Sequence, residues 1–253
     1  MSGKKEYDLI FSLGEACSST QTLRNSKLQI FSYPLDWLFG ADFIRRCEIL
    51  TSKFEHFIEM KDLEYIYTER SISCDAYHNK HNGLTFNHDF LKDKNLSETY
   101  PAVKEKYDRR IKRLYNAIEK SKKILIVFLE IPNNPKKLID DSILVTNLQK
   151  IKNLYPDKEF NLLYFSNDST MQEKQYMENY ITNEIIKVIG NYKDMKEGMP
   201  DYAVDCKFFK QYYSKYYLKT TLKYKVKRFL ITIFIKLIPM KSLRRSLKIK
   251  YHV

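Results

Sequence analysis

The sequence predicts an α/β protein with a mostly parallel sheet and flanking helices in three layers, followed by a basic amphipathic C-terminal helix. Continuous apolar runs at residues 124–130 and 160–165 are typical of buried parallel strands. An amphipathic helical pattern separates these runs, and a third apolar run occupies residues 185–189. Glycine is scarce, at 6 of 253 residues, which disfavours a turn-rich all-β fold.

The first half of the chain contains a less regular series of elements. In order, the predicted elements are a strand at 7–13, a helix at 17–25, an aromatic loop at 31–40, a helix at 41–54, an irregular segment at 60–90 with a strand at 84–88, and a charged helix at 100–120. The helix predicted at 17–25 opens with small polar residues, which is typical of a helix start.

The second half predicts a βαβαβ unit. Helices at 136–155 and 170–182 would connect the three apolar strands through right-handed crossovers. In such sheets, binding sites lie beyond the carboxyl ends of the strands. These ends correspond here to residues 14–17, 131–134 and 166–168.

Charge divides the chain into two parts. No Asp or Glu follows Asp205, whereas 14 of the 44 Lys and Arg residues lie between Lys207 and the C-terminus. The rest of the chain has 30 basic and 31 acidic residues, so the whole excess of +13 belongs to the C-terminal segment. We therefore predict an α/β domain over residues 1–218 and a basic tail over residues 219–253 that acts as an interaction surface.

The tail has the pattern of a helix that lies on a membrane surface. Apolar residues recur at helical spacing between 226 and 238, lysines flank them, and Pro239 ends the helix. The apolar run is too short to span a bilayer, so the helix would lie in the interface with basic side chains at anionic headgroups. The residues predicted to bind the membrane are Lys225, Arg228, Phe229, Ile233, Lys236, Arg244 and Arg245.

Two other interpretations of the tail remain open. The helix could pack on its own domain or on a partner. Nucleic acid is a weaker alternative, because the tyrosines at 212–217 recur at helical spacing, which more often indicates core packing than base stacking. The absence of a secretory signal predicts a cytoplasmic protein with reduced thiols that is peripheral on the inner face of the membrane.

The segment S-L-G-E-A-C-S-S at residues 12–19 carries the clearest chemical signal. It places Cys17 directly after a strand and a turn, at a helix N-terminus, where N–H groups and the helix dipole stabilise a thiolate. Such a thiolate is a nucleophile. The same turn, with Gly14, Ser18 and Ser19, could instead bind a phosphate, and a buried structural cysteine is the third possibility.

A cysteine nucleophile needs a base, and His88 is the predicted one. It lies at the end of a predicted strand in F-N-H-D-F, with Asp89 beside it. Because neighbouring residues on a strand point to opposite faces, Asp36 or Asp168 could orient the imidazole in place of Asp89. No residues have the spacing of a strong metal site, and neither a metal nor another cofactor is predicted.

Two further segments are candidates for substrate binding. Trp37, in Y-P-L-D-W, could form a wall of the site or simply a rigid packing turn. Asn133 and Asn134 follow a buried strand and could contact substrate or form a turn. Together with Gly14, Ser18 and Ser19, these residues make up the predicted substrate site.

Four motifs resemble a bacterial family of unknown function that is described as papain-like cysteine peptidases. They are F-S-L-G-E-A-C-S at 11–18, Y-P-L-D-W at 33–37, F-N-H-D-F at 86–90 and Y-D-R-R-I at 107–111. They cover roughly the first half of the chain in the family's order. The family has Phe-Asp-Trp where this chain has Leu35, Asp36 and Trp37. The resemblance implies that Cys17 is the nucleophile and His88 the base.

The tail sequence I-K-L-I-P-M-K-S-L-R-R at 235–245 is similar to the ends of some bacterial surface-polysaccharide glycosyltransferases. That similarity implies a place beside cell-envelope or capsule assembly. We therefore expect a cysteine-dependent peptidase, acyl hydrolase or acyltransferase at the cytoplasmic membrane face, with a peptide, glycan or small-molecule substrate. The alternatives are a polysaccharide transferase that binds a nucleotide-sugar or phosphate at residues 14–20, and a non-catalytic membrane scaffold.

Overall fold

The computed structural model describes residues 4–69, 72–132, 139–173, 175–194, 196, 199 and 202–240. Within these residues the strands are β1 (Lys5–Tyr7), β2 (Leu9–Ser12), β3 (Phe39–Gly40), β4 (Leu63–Glu69), β5 (Cys74–Asn79), β6 (Leu84–Leu91), β7 (Lys123–Leu129), β8 (Glu159–Asn167), β9 (Tyr176–Tyr180), β10 (Ile185–Gly190) and β11 (Tyr216–Leu218). The α-helices are α1 (Cys17–Asn25), α2 (Phe43–Thr51), α3 (Leu96–Lys120), α4 (Asp141–Leu154), α5 (Cys206–Tyr212) and α6 (Leu222–Leu237).

The main sheet has five strands in the order β2-β7-β8-β10-β9. Its first four strands are parallel, and β9 joins the edge in antiparallel orientation. Successive side chains of β7 contribute to two different apolar clusters, because neighbours on a strand point to opposite faces. Both faces of this sheet are therefore covered, which explains the continuous apolar runs in its strands.

Helices cover the two faces of the main sheet in a three-layer arrangement. Leu23 of α1 and Phe209 of α5 belong to the cluster on one face. Cys47 of α2, Leu114 of α3 and Leu148 of α4 belong to the cluster on the other. The predicted α/β fold class with a mostly parallel sheet is confirmed.

A second sheet replaces the predicted irregular segment at 60–90. Its four antiparallel strands run in the order β3-β6-β5-β4, and Leu84, Phe86 and Phe90 of β6 pack into the core. Strand β4 was not predicted because this edge strand exposes Tyr65, Ile66 and neighbouring residues, so it has no alternating apolar pattern.

The helix predicted at 170–182 is wrong. Residues 176–180 form β9, an exposed edge strand that pairs with β10. Because nearly every residue of β9 is exposed, it has no hydrophobic periodicity that could distinguish a strand from a helix. Its pairing with the neighbouring strand decides its conformation.

The first residues of the C-terminal basic segment pack against the rest of the protein. Tyr212, Tyr213 and Tyr216 are buried in the core, as their helical spacing predicts, and β11 pairs with β1 in parallel. Thr221 caps α6 by accepting a hydrogen bond from the backbone N–H of Tyr224. The helix ends at Leu237, before Pro239, as predicted.

No helix in the described part of the chain combines the length and apolarity that crossing a bilayer requires.

Candidate active site around Cys17

The turn between β2 and α1 is tightly packed around Gly14. The hydroxyl of Ser12 donates to the hydroxyl of Ser19 at 2.7 Å, and it accepts a hydrogen bond from the backbone N–H of Gly14 at 3.0 Å. A Cβ atom on Gly14 would lie only 2.3 Å from the Cβ of Ser19. Gly14 is thus required for the close approach of the turn to the first turn of α1, and this packing positions Cys17.

Cys17 is the first residue of α1 and is partly exposed, as the sequence predicts for its position. Burial nevertheless raises the pKa of its thiol, and the backbone N–H groups of Cys17 and Ser18 oppose this shift without cancelling it. Desolvation thus outweighs the N–H groups, opposite in direction to the effect expected from the helix N-terminus. The two N–H groups, those of Cys17 and Ser18, lie beside the sulfur.

The carboxyl ends of three parallel strands meet beside this turn, as predicted. The N–H of Glu15 donates to the carbonyl of Leu129 at 3.1 Å, and the N–H of Ile131 donates to the Glu15 carboxylate at 3.0 Å. The side chain of Asn167 donates to the carbonyl of Pro132 at 2.6 Å. These bonds connect the ends of β2, β7 and β8 into one surface around Cys17.

Two carboxylates in this region were not anticipated. Glu15 is buried, and Glu130 accepts hydrogen bonds from the hydroxyls of Tyr164 (2.5 Å) and Ser166 (2.8 Å). Burial raises the pKa of Glu130, and the negative charge of Glu15 raises it further. The sequence shows Glu15 in the cysteine motif and Glu130 at a strand end, but only the folded chain brings the two together.

Asp36 anchors the Y-P-L-D-W loop to α1. Its carboxylate accepts hydrogen bonds from the hydroxyl of Thr20 (2.7 Å), the side chain of Gln29 (2.5 Å) and the N–H of Tyr33 (2.7 Å). The carboxyl is almost fully buried, and this burial raises its pKa to about 6. The bonds to Thr20, Gln29 and Tyr33 assign Asp36 a positioning role, and among the residues that the structure describes no histidine forms a hydrogen bond with it.

Trp37 lies at the other end of α1 from Cys17. The guanidinium carbon of Arg24 lies 5.3 Å from the centre of its ring, and its indole N–H donates to the hydroxyl of Ser32 at 3.4 Å. Arg24 follows Cys17 by seven residues, which at 1.5 Å per residue is about 10 Å along the helix. This placement favours the packing interpretation of Trp37 over a wall beside the thiol.

His88 and Asp89 lie on β6, in the second sheet. The His88 side chain is exposed, and in the described part of the chain no hydrogen bond or charge effect joins it to Cys17. Asp89 accepts a hydrogen bond from the hydroxyl of Tyr107 (2.7 Å) and forms an ion pair with Lys106. Asp89 thus connects β6 to α3, and no described contact makes it the partner of His88.

Tyr202 lies within electrostatic reach of Cys17, which the sequence did not predict. Its ring packs edge-on against Phe39, with 5.0 Å between ring centres. Burial raises the pKa of its hydroxyl, and Cys17, Glu69 and Tyr67 raise it further when they are ionised. No sequence motif surrounds Tyr202, so its proximity to Cys17 is visible only in the folded chain.

The hydroxyls available for a phosphate at this turn are largely engaged. Ser19 is fully buried and bonded to Ser12, and Thr20 donates to Asp36. Ser18 is mostly buried. Asn133 and Asn134 lie outside the described residues, so their predicted contact with substrate stays a prediction.

The apolar side chains of α6 fall on two sides of the helix. Ile235 is buried, whereas Phe229 and Phe234 are about two-thirds exposed and Ile233 is also exposed. At 100° per residue, Phe229 and Ile233 lie on the side of the helix opposite Ile235. The side chains of Lys225, Arg228 and Lys236, and all of Arg244 and Arg245, lie outside the described part of the chain.

Within the described ranges, no three His, Cys, Asp or Glu side chains are arranged to hold a metal ion. His78 bonds to Thr85, at 3.3 Å, and His81 packs edge-on against His56.

Comparison with known families identifies the same region of the chain. A family model described as "Putative papain-like cysteine peptidase (DUF1796)" matches residues 8–168, which is more than half of the chain. The match includes Cys17, Asp36, His88 and Asp89, and it ends before Tyr202 and α6. No curated protein and no solved structure matches the sequence. The chain therefore belongs to this papain-like cysteine peptidase family.

Proposed function

We propose that this protein is a cysteine-dependent acyl hydrolase or acyltransferase in which Cys17 is the nucleophile. The observation that carries the proposal is the place of Cys17: a partly exposed thiol on the first residue of α1, beside two backbone N–H groups. A peptide, ester or thioester carbonyl that entered from solvent would meet both the sulfur and these donors. Family membership supports the same chemistry.

The proposed reaction begins with the neutral thiol. A base takes the thiol proton as the sulfur attacks the acyl carbon, a C–S bond forms, and the carbonyl electron pair moves to oxygen. The N–H groups of Cys17 and Ser18 are placed to stabilise this oxyanion. Collapse of the intermediate expels the protonated leaving group, and water or a second substrate then breaks the thioester.

His88 and Tyr202 are the proposed proton-transfer groups. His88 is the base expected from the family motif, and it would have to approach the thiol when substrate is bound. Tyr202 has a raised pKa, so its hydroxyl stays protonated at neutral pH and can donate to the oxyanion or leaving group. The two roles can be distinguished by experiment, because a base accelerates ionisation of the thiol and a proton donor does not.

Alkylation of the four cysteines by iodoacetamide, followed at pH 7 by mass spectrometry, tests the nucleophile. Cys206 is a matched comparison because it also begins a helix and is more exposed. Burial and the charges of Asp194 and Asp205 raise its pKa. We expect Cys17 to react faster than Cys206, and much faster than the buried Cys47 and Cys74. Faster labelling of Cys206 would contradict the proposal.

Variants separate the proton-transfer roles. With a p-nitrophenyl ester as substrate, Cys17→Ala should abolish hydrolysis and Cys206→Ala should not. If His88 is the base, His88→Ala should shift the midpoint of the pH–rate profile for ester hydrolysis to higher pH. Tyr202→Phe should lower the rate of hydrolysis without shifting that midpoint. An unchanged profile for His88→Ala would remove His88 from the mechanism.

We also propose that α6 holds the protein on an anionic membrane surface. The support is its exposed apolar side, which includes Phe229, Leu230, Phe234 and Leu237, in a segment of the chain without acidic residues. Apolar residues of this kind enter the headgroup boundary while basic residues attract anionic lipids. Action at the cytoplasmic membrane face, beside envelope assembly, is part of this proposal.

Vesicle sedimentation tests the membrane proposal. A chain that ends at Thr220 lacks α6 but keeps β11, whose Leu218 is buried and pairs with Tyr7. We expect this chain, and the double variant Phe229→Ser/Phe234→Ser, to stay in solution with phosphatidylglycerol vesicles that sediment the full chain. Tyr65→Ser, an exposed aromatic on β4, is the control and should sediment normally. Continued sedimentation of both tail variants would refute the anchor.

A further inference from the structure

A groove of about 590 Å³ lies against the outer edge of the main sheet, and Cys17 is not among its lining residues. One wall is the last two turns of α3, where Arg113, Ala117 and Lys120 share a helix face. The other wall runs from Leu218 at the end of β11 to Tyr224 in the first turn of α6. The volume is within the usual range of small-molecule sites.

The inside of the groove is apolar. Leu9 and Ile10 of β2, the outermost strand, lie along it together with Ile30 and Leu218. Phe31 is half exposed at the rim, and the guanidinium carbon of Arg113 lies 5.7 Å from the centre of its ring. An apolar ligand in the groove would remove the exposed part of this ring from water.

The rim of the groove has a positive charge. Arg113, Lys120 and Lys219 line it, and Asp8 is the acidic residue among the lining groups. The Asp8 carboxylate is engaged, because it accepts hydrogen bonds from the N–H groups of Lys122 (3.0 Å) and Lys123 (2.9 Å) and pairs with Lys219. Arg113 donates one hydrogen bond to the carbonyl of Ser32 at 2.8 Å, and its other N–H groups, together with Lys120, are the cationic donors that an anionic ligand would meet.

The groove is continuous with the proposed membrane-binding helix. Thr221 and Tyr224 line the groove and also form the start of α6, whose apolar side is exposed. A bilayer that contacted α6 would lie close to the mouth of the groove. An apolar interior, a cationic rim and a bilayer at the mouth match the two ends of a phospholipid.

We propose that this groove binds one anionic glycerophospholipid. An acyl chain lies among Ile30, Phe31 and Leu218, and the phosphate lies near Arg113 and Lys120. The C-terminal end of α3 has a partial negative charge, so the side chains of Arg113 and Lys120 supply the attraction to the phosphate. The proposal does not depend on the chemistry of Cys17.

Calorimetric titration with dihexanoyl phosphatidic acid, at concentrations where this short-chain lipid is monomeric, tests the groove without a membrane. We expect saturable binding of one lipid per chain, with weaker binding of dihexanoyl phosphatidylcholine and none of inorganic phosphate. Lys120→Gln should weaken binding about fivefold, since one base near an anionic lipid contributes about 1 kcal/mol. Lys112→Gln makes the same change on α3 outside the groove and should have no effect.

The outcomes separate this proposal from the others. Three results would each overturn it. They are no binding of phosphatidic acid, equal affinity of Lys120→Gln and Lys112→Gln for that lipid, and binding of inorganic phosphate with the same affinity as the lipid. Cys17→Ala should bind the lipid with unchanged affinity, so a failed hydrolase test leaves the groove intact. The double variant Phe229→Ser/Phe234→Ser should also retain binding, because the probe is soluble and does not need α6 on a vesicle.

Discussion

Asp36 provides a quantitative test of the way α1 is held in place. Its buried carboxylate accepts hydrogen bonds from Thr20, Gln29 and Tyr33, yet its pKa is raised to about 6. Burial is the largest cause, and the hydrogen bonds and the charges of Arg24 and Arg110 only partly offset it. Ionised Asp36 is therefore less favourable in the folded protein than in the unfolded chain.

The size and sign of this effect follow from linkage. An unfolded Asp has a pKa of about 3.9, so the difference is about 2 units, or about 3 kcal/mol. Below about pH 4 the carboxyl is protonated in both states and has no ionisation cost. Between about pH 4 and pH 6 the unfolded chain ionises first, so the free energy of unfolding falls as pH rises. Above about pH 6 the whole cost is present.

Asp36→Asn removes this pH dependence while keeping most of the contacts. The amide oxygen can take the place of the oxygen that accepts from Gln29 and Tyr33, and the Thr20 hydroxyl can turn to accept from the amide nitrogen. Between pH 4 and pH 7, the unfolding free energy of the native chain should fall by about 2 kcal/mol relative to this variant, because the unfolded carboxyl is already half ionised at pH 4.

Urea unfolding followed by circular dichroism at pH 4, 5, 6 and 7 measures this difference. Asp108→Asn, an exposed carboxylate on α3 that pairs with Lys104, is the control for loss of one acidic group. A difference between the native chain and Asp36→Asn that stays constant with pH would refute the reasoning. A difference of the opposite sign would show that hydrogen bonding, and not burial, controls this carboxyl.

Two further substitutions test the packing around the site. Gly14→Ala would place a Cβ atom 2.3 Å from the Cβ of Ser19, so we expect about 1–3 kcal/mol of destabilisation in urea and slower alkylation of Cys17; unchanged values for both would contradict the close packing. Arg46 is fully buried and donates to the carbonyls of Leu35, Leu38, Gly40 and Ala41. Arg46→Met leaves these acceptors unpaired and should cost about 3–5 kcal/mol in the same assay, whereas a loss under 1 kcal/mol would show that water replaces the guanidinium.

Much of the fold could be predicted because burial leaves a local pattern. The strands β7, β8 and β10 are covered on both faces and appear as continuous apolar runs, and α4 has an apolar stripe. Edge strands that are exposed along most of their length have no such pattern. For that reason β4 was missed, and β9 was predicted as a helix.

The candidate site shows the same division. The position of Cys17 after a strand and a glycine turn is a local property, so the motif at residues 12–19 predicted it correctly. Its ionisation is not local, because the pKa depends on how much of the folded protein covers the sulfur. Helix position alone suggested a stabilised thiolate, whereas burial raises the pKa.

The sequence by itself determined the fold class, the strand and helix that present Cys17, the family, and the position at which α6 ends. Each of these depends on neighbouring residues or on a short ordered motif. Only the tertiary structure decided that Asp36 bonds to Thr20, that Asp89 bonds to Tyr107, and that Tyr202 lies within electrostatic reach of Cys17. Those relations join residues that are far apart in the chain, and they exist only because packing and the exclusion of water bring specific side chains together.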